Sequence, residues 1–104
     1  PLPYGLNLVK ELKPVDYYRK NNTAGTREAG FIAQEVEAAL EKLGYTRQGL
    51  LTKDSKGFLE LRYNDFIPVL TKAIQEQQQQ IDALQEQNAQ LLQRLEKLEK
   101  RNRE

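Results

Sequence analysis

The chain has 104 residues, 16 of them basic and 15 acidic, and a formal net charge of +1. This length is sufficient for one domain, and the balanced charge is not typical of nucleic-acid-binding proteins, which carry a basic excess. The absence of cysteine excludes disulfides and thiolate chemistry, and the absence of histidine removes the commonest general base and metal ligand. No apolar run approaches a membrane span, and no signal peptide is visible. Because methionine is absent even at position 1, we expect a fragment cut from a longer polypeptide.

Glycine divides the chain into two parts. All six glycines lie within the first 57 residues, whereas the sequence from residue 65 onward has no glycine and a single proline, Pro68. We therefore predict a small mixed head over residues 1–63 and a long helix over residues 64–104. The expected fold class is α+β, with short strands and helices followed by a coiled-coil helix. A head of this size has a marginal core when alone, so we expect it to gain stability from association through the helix.

The head begins with a predicted helix and a predicted strand. Residues 5–13 place three apolar side chains on one helical face, and Pro14 ends that helix. Residues 14–20 then alternate apolar and polar side chains as a strand does, and a polar loop covers residues 21–28. The apolar side chains that carry these two patterns are Leu8, Val9 and Leu12 in the helix and Val15 and Tyr17 in the strand.

A strand-to-helix junction follows in the stretch GFIAQEVEAAL, residues 30–40. We predict that Phe31 and Ile32 form a short buried strand and that Gly30 permits a close approach of the backbone. The helix that follows is amphipathic, and Gly44 is its expected C-cap residue. Its apolar face consists of Ala33, Val36, Leu40 and Leu43.

Two polar residues of this junction, Gln34 and Glu35, lie on the side of the helix away from its apolar face. One interpretation is an ordinary exposed first turn, where the charge of Glu35 is favourable at the positive end of the helix. The other is that both side chains contact a neighbouring subunit or an upstream segment.

The stretch LLTKDSKGFLELRY, residues 50–63, predicts a β-hairpin whose turn is residues 54–57. Leu59, Leu61 and Tyr63 are expected on one face of it. The only serine of the chain, Ser55, lies in this turn, where an exposed position cannot lower the pKa of a neighbouring lysine. The acidic residues are scattered, and no glycine-rich run opens a helix. We therefore expect no catalytic residue, no metal site and no cofactor site.

The strongest pattern is a heptad repeat in the C-terminal helix, for which Asn64 or Asp65 is the expected N-cap. Eight of the eleven a and d positions are apolar, which predicts a coiled coil. The a and d positions are Ile67, Leu70, Ile74, Gln77, Ile81, Leu84, Asn88, Leu91, Leu95, Leu98 and Asn102. We predict that the first ten of them form the interface between associated helices.

The number of associated helices stays open on periodicity alone. Isoleucine at a with leucine at d, together with Asn88 at a, favours a dimer. Gln77 at d and Leu92 at e favour a wider interface of three helices. The side chains expected to widen the apolar stripe near the head are Phe66, Val69 and Ala73.

The order of these motifs is familiar: a Tyr4-Gly5-Leu6 helix, a Lys-Pro-Val strand, GFIAQEVE at residues 30–37, a hairpin with a glycine turn, and YNDFIPVLTKAI at residues 63–74. Residues 4–84 resemble the C-terminal intramolecular chaperone domain of phage tailspikes and tail fibres, the chaperone-of-endosialidase family. A similar domain occurs in the myelin regulatory transcription factors. The residues of the most specific motif are Gly30, Phe31, Ile32, Ala33, Gln34, Glu35 and Val36.

The resemblance implies a homotrimer that acts in the host bacterial cytoplasm during virion assembly. Such domains bring three copies of the upstream fibre chain into register so that a β-structured stalk folds, and many then cut themselves off by a serine–lysine mechanism. In the family the serine begins a segment that precedes the Tyr-Gly-Leu helix, whereas this sequence begins at Pro1, and Lys10 and Lys13 come too late to match the family lysine. We therefore expect these 104 residues to be inactive as a peptidase, although the parent protein is a candidate for self-cleavage.

Two other classes of protein share the heptad pattern. One is a plain coiled-coil oligomerisation module of a bacterial or phage surface protein, without a chaperone role. The other is a zipper-type DNA-binding protein, which the sequence disfavours because no basic region precedes the heptads. The expected partners are therefore copies of the chain itself and the upstream fibre chain, and not nucleic acid or a membrane.

Overall fold

The computed structural model describes residues 1–19 and 24–103 and has the predicted α+β architecture. The elements are α1 (Leu6–Val9), β1 (Val15–Tyr17), β2 (Glu28–Gly30), α2 (Ala33–Lys42), β3 (Leu51–Lys53), β4 (Leu59–Leu61) and α3 (Phe66–Arg103), with a 3-10 turn at Tyr63–Asp65 before α3. The molecule measures 76 × 36 × 20 Å, because α3 extends far beyond the head. Residues 20–23, where the predicted strand ends and the polar loop begins, lie outside the described part.

The first sheet consists of β1 and β2, paired antiparallel with Val15 opposite Gly30 and Tyr17 opposite Glu28. Val15 and Tyr17 are half-buried and Asp16 between them is exposed, which confirms the predicted alternation. Ion pairs such as that of Asp16 with Arg27, at 2.7 Å, link the solvent side of the two strands. These are exposed pairs and contribute little to stability.

The second sheet is the predicted hairpin of β3 and β4, in which Leu51 pairs with Leu61 and Lys53 with Leu59. Its turn lies at residues 54–57 as predicted, because the amide of Gly57 donates to the carbonyl oxygen of Asp54 at 3.0 Å. The Asp54 carboxylate also accepts backbone hydrogen bonds from Lys56 and Phe58, both at 2.9 Å. Leu59 and Leu61 are half-buried on one face as expected, whereas Tyr63 leaves the hairpin and enters the 3-10 turn.

Helix α2 ends at the predicted glycine. Gly44 has a φ of +77°, a conformation that glycine adopts without steric cost. The Tyr45 amide donates to the Leu40 carbonyl at 2.9 Å, and the Gly44 amide to the Glu41 carbonyl at 3.1 Å. These two bonds are the Schellman pattern, and they satisfy carbonyl groups that the helix end would leave free.

Helix α1 is shorter than the sequence suggests. It covers Leu6–Val9 rather than residues 5–13. Two backbone hydrogen bonds of the i to i−3 type follow it, from the Glu11 amide to the Leu8 carbonyl and from the Leu12 amide to the Val9 carbonyl. Pro14 disfavours helical geometry at the residue before it, and the chain has to turn into β1 within a few residues. Leu8 is nevertheless fully buried, so the predicted apolar face is used.

The strand predicted at Phe31 and Ile32 is wrong. The strand is β2, Glu28–Gly30, and it ends before the two apolar residues. Phe31 leaves the sheet to stack on the aromatic rings of Tyr63 and Phe66. Ile32 is the residue before α2 and is 45% exposed. The apolar pair thus connects the sheet to α2 rather than lying in the sheet.

The start of α3 also differs from expectation. Asn64 and Asp65 do not act as an N-cap but lie within the 3-10 turn, which continues directly into α3. No side-chain cap is formed before this turn, and the Asp65 carboxylate lies 3.8 Å from the guanidinium of Arg62. The turn itself supplies part of the backbone bonding, since the Asp65 amide donates to the Arg62 carbonyl.

The hydrophobic core joins the head to the first turns of α3. The core side chains are Tyr4, Leu8, Val36, Ala39, Leu40, Leu50, Phe66 and Val69. Phe66, Val69 and Ala73 of α3 are each at least 95% buried, so they pack in the core and do not widen the exposed stripe. The prediction that these three side chains widen the stripe for three helices is therefore wrong. The core also crosses the predicted boundary between residues 63 and 64.

Among the described residues no helix combines the length and apolarity needed to span a membrane.

Candidate functional site

An exposed apolar stripe on α3 is the first component of the candidate site. The predicted interface residues lie along this 38-residue helix, and the large apolar ones are between 42% and 65% exposed. They are Ile67, Leu70, Ile74, Ile81, Leu84, Leu91, Leu95 and Leu98, and the polar Gln77 and Asn88 are exposed as well. From residue 77 to residue 103 every side chain is exposed. A helix with one long apolar face gains stability by burying that face against other helices.

The stripe and the head occupy different sides of α3. At 3.6 residues per turn, Phe66, Val69 and Ala73 fall on one side and Ile67 and Ile74 on another. The first three are buried in the core, whereas Ile67 and Ile74 are 61% and 65% exposed. The same turns of α3 can therefore hold the head and remain open to a partner helix.

The second component is an aromatic joint, which we define as Phe31, Tyr63 and Phe66. Phe31 stacks on Phe66 with ring centroids 5.4 Å apart and on Tyr63 at 6.1 Å, and Tyr63 lies 6.1 Å from Phe66. The Phe31 amide donates a hydrogen bond to the Tyr63 hydroxyl at 3.2 Å. Each aromatic pair contributes about 0.5–1.5 kcal/mol beyond the burial of its area. The joint thus fastens the GFIAQEVE motif to the first residue of α3.

Gly30 is required beside this joint. A Cβ atom at Gly30 would lie 2.7 Å from the Tyr63 hydroxyl oxygen and 3.0 Å from Cε1 of Tyr17. Both distances are below normal contact, so the predicted close approach at Gly30 is confirmed, although aromatic side chains make it. The sequence showed the glycine but not its neighbours, because Tyr17 and Tyr63 are far from it along the chain.

The remaining motif residues divide between core and solvent. Val36 is 2% exposed and belongs to the core, and Ala33 is half-buried. Gln34 and Glu35 are exposed at the start of α2, so both interpretations of this pair, an ordinary first turn or a contact with another chain, stay open.

The third component is an N-terminal clamp, which we define as Lys72 and Glu76 of α3. The Leu6 amide donates to Oε1 of Glu76 at 3.1 Å, and the Lys72 ammonium donates to the carbonyl oxygen of Leu2. A Cβ atom at Gly5 would lie 2.8 Å from Cγ of Lys72. The Tyr-Gly-Leu motif is therefore the place where the N-terminal segment lies against α3. Sequence reasoning missed the clamp, because two charged residues on a charged helix give no specific signal.

Tyr4 continues this contact into the core. Its hydroxyl donates to Oε1 of Gln48 at 2.7 Å, and its ring lies 5.0 Å from that of Tyr45. Burial raises the pKa of Tyr4, and the negative charge of Asp65 raises it further. The phenol stays protonated and acts as a hydrogen-bond donor, not as a base.

The position of Ser55 does not favour nucleophilic chemistry. Ser55, Lys53 and Lys56 are all exposed at the hairpin turn, and an activated nucleophile requires a base or a desolvated lysine beside it. Within residues 1–19 and 24–103 no group of three or more metal-ligating side chains comes together. What the described residues present instead is the exposed apolar stripe of α3.

Comparison with known proteins concerns the first part of the head. Residues 1–45 match the family model described as chaperone of endosialidase. The family resemblance predicted over residues 4–84 is thereby confirmed for its part up to residue 45, and it supports a chaperone-type domain. The chaperone-of-endosialidase match includes the Tyr-Gly-Leu motif, GFIAQEVE and the Gly44 cap, whereas the hairpin and α3 follow it. No curated protein and no solved structure matches this chain.

Proposed function

We propose that this chain is a C-terminal intramolecular chaperone domain that brings three copies of a phage tail-fibre or tailspike chain into register. The observation that carries the proposal is the open heptad stripe of α3 beside a head whose first 45 residues match a chaperone family. Burial of the exposed stripe favours association of the helices. The family match favours a role for that association in folding.

The physical mechanism is a reduction in the entropic cost of bringing chain ends together. An intertwined β stalk requires three chains to meet, and its mostly non-local contacts form slowly. Once three α3 helices associate, the three upstream chains are held at an effective concentration in roughly the millimolar range for short connections. The stalk then begins to fold from a fixed register.

The aromatic joint and the N-terminal clamp give the head its part in this mechanism. The joint fixes Phe31 against Phe66, and the clamp fixes the N-terminal segment against Lys72 and Glu76. The segment that leads to the upstream chain is thus attached to the helix that associates, within three turns of the start of the stripe. A flexible connection would transmit the register of the helices less well.

Light scattering coupled to size exclusion tests the association. We expect a mass of three times 12.0 kDa, and Ile81→Asp should dissociate the assembly because it places a charge in a buried seam. Gln79→Asp is the matched control, since Gln79 is exposed but lies on the opposite side of the helix from the stripe. A wild-type mass of one or two chains, or equal loss of mass in both variants, would contradict the proposal.

The alternative is a plain coiled-coil oligomerisation module. The two functions differ in what the head contributes, so replacing residues 1–104 of the parent protein by a generic trimeric zipper separates them. A chaperone domain should not be replaceable in full, whereas a simple oligomerisation module should be.

Two further parts of the proposal follow from the family resemblance. We place the action of the domain in the host bacterial cytoplasm during virion assembly, and we propose that the parent protein is released from the domain by self-cleavage. Ser55 is not proposed for that reaction because it lies in an exposed turn. Mass spectrometry of the parent protein after expression would identify a cleavage position, and an uncut parent would argue against release.

A further inference from the structure

The heptad positions of α3 indicate which surfaces of two associated copies face each other. With Ile67 at a, Phe66 and Ala73 occupy g positions and Thr71 occupies an e position. In a parallel coiled coil the g positions of one helix lie beside the e positions of the next. Phe66 and Ala73 are buried under the head of their own chain. The head of one copy is therefore directed towards the e side of its neighbour.

An open groove of about 550 Å³ borders the e position Thr71 near the head. The groove lies between the N-terminal segment and α3, and its helix lining is Ile67, Pro68, Thr71, Lys72 and Gln75. Ile67 is also the first a position of the stripe, so the groove is continuous with the predicted interface.

Two polar groups that line the groove are already hydrogen-bonded within the chain. The Thr71 hydroxyl donates to the Ile67 carbonyl at 2.9 Å, and the Lys72 ammonium donates to the Leu2 carbonyl. Because these groups have partners, an apolar occupant can cover the groove without leaving them unpaired. The groove can thus accept an apolar side chain beside Thr71.

The head carries exposed apolar side chains next to its g-side contact with α3. Tyr63 of the aromatic joint is 47% exposed while its ring lies against Phe66. Ile32, the next residue after Phe31, is 45% exposed. Both belong to the part of the head that is fastened to the g side of α3, which is the side directed at a neighbouring groove.

We propose that the head of one copy, through Ile32 and Tyr63, seats in the groove beside Thr71 of the next copy. This inference rests on the proposed association through α3, with the helices parallel because a common register of the upstream chains requires it. It adds a head-to-groove contact to the helix seam. Repeated around a closed assembly, the contact links the GFIAQEVE motif of each chain to the N-terminal segment of its neighbour. The motif then has a role between chains as well as its role in the joint.

Cross-linking between two single-cysteine variants tests the contact, because the natural chain has no cysteine. Ile32→Cys is mixed with a longer-tagged Thr71→Cys under conditions of subunit exchange and treated with a short bis-maleimide reagent. The expected product is a cross-linked heterodimer, recognised by its mass between those of the two homodimers. The control mixture pairs Ile32→Cys with Gln79→Cys, at an exposed f position one heptad beyond Lys72. A heterodimer yield no higher than in the control would overturn the inference.

A second measurement does not depend on cross-linker geometry. Ile32→Glu should raise the concentration at which the assembly dissociates by about tenfold or more, since it removes one buried apolar side chain from each contact. Ala38→Glu is the control, because Ala38 is exposed near the middle of helix α2, which follows Ile32. Equal dissociation of Ile32→Glu and wild type would contradict the head-to-groove contact. A monomeric wild-type chain would instead contradict the proposed function on which the contact rests.

Discussion

Gly30→Ala tests whether the aromatic joint is as tightly built as the structure indicates. The added Cβ would lie 2.7 Å from the Tyr63 hydroxyl oxygen and 3.0 Å from Cε1 of Tyr17, so at least one ring has to move. The exposed Tyr63 moves more easily, and its movement costs the hydrogen bond from the Phe31 amide. A hydrogen bond contributes about 0.5–1.5 kcal/mol, and weakened stacking of the ring adds about 0.5–1.5 kcal/mol. We therefore expect Gly30→Ala to lower the free energy of unfolding by about 1–3 kcal/mol, the usual range for overpacking.

Thermal unfolding followed by circular dichroism, at one fixed protein concentration, measures this loss. At this chain length each kcal/mol corresponds to roughly 4 °C or more in Tm. Gly57→Ala is a useful comparison, because no atom lies within 4 Å of its added Cβ and its cost comes from the backbone φ of +86° alone.

A double-mutant cycle with Tyr63→Phe isolates the steric cause. Tyr63→Phe removes the hydroxyl that lies nearest to the added Cβ, so part of the clash disappears with it. The combined loss in Gly30→Ala/Tyr63→Phe should be smaller than the sum of the two single losses by about 0.5 kcal/mol or more, as for residues in contact. Additive losses, or a Gly30→Ala variant as stable as wild type, would refute the close packing of the joint.

Three further predictions concern the core, the clamp and the turn. The Leu8 side chain has no exposed area, so Leu8→Ala should lower the free energy of unfolding by about 2–5 kcal/mol. Chemical denaturation measures this loss, and a smaller one would place Leu8 outside the core. Glu76→Ala removes the acceptor of the Leu6 amide and should lower the free energy of unfolding by about 0.5–1.5 kcal/mol. NMR should show faster hydrogen exchange at the Leu6 amide, and unchanged exchange would count against the clamp. Ser55→Ala should leave the mass and any processing of the protein unchanged, because Ser55 is exposed in a turn, and a change in cleavage would assign it a chemical role.

The sequence predicts those parts of the fold that depend on local patterns. Helix α2 with its cap at Gly44, the hairpin turn at residues 54–57 and the long α3 all follow from periodicity and glycine position, and the structure contains them. These elements are specified by residues close together in the chain. The heptad stripe is predictable from sequence for the same reason, because its residues repeat along a single helix.

The sequence does not predict those parts that depend on contacts between distant residues. Phe31 has the pattern of a strand residue, but its ring is held by Tyr63 and Phe66, more than thirty positions away. Phe66 and Val69 fit a widened helix stripe equally well, and only the packed head shows that they belong to the core. In each case the local pattern is present in the sequence, but packing against distant residues decides the position of the side chain.

The kind of candidate site was predictable, but not its details. An exposed apolar stripe favours association with another helix, so candidate interface residues can be named from the repeat. The clamp of Lys72 and Glu76 and the groove beside Thr71 required the N-terminal segment to be placed on α3 first. Charged residues that make specific contacts look the same in sequence as charged residues that face solvent.

The most direct test of the chaperone role compares the parent fibre protein assembled with and without this domain. A protease site is engineered before Pro1, and the trimeric state and detergent resistance of the fibre are measured by gel electrophoresis and light scattering. Deleting residues 1–104 from the gene should give insoluble or monomeric fibre, whereas removing them by protease after assembly should leave a stable trimer, because the folded stalk then holds itself together. Normal fibre from the deleted gene, or full rescue by a generic trimeric zipper in place of residues 1–104, would contradict the chaperone function.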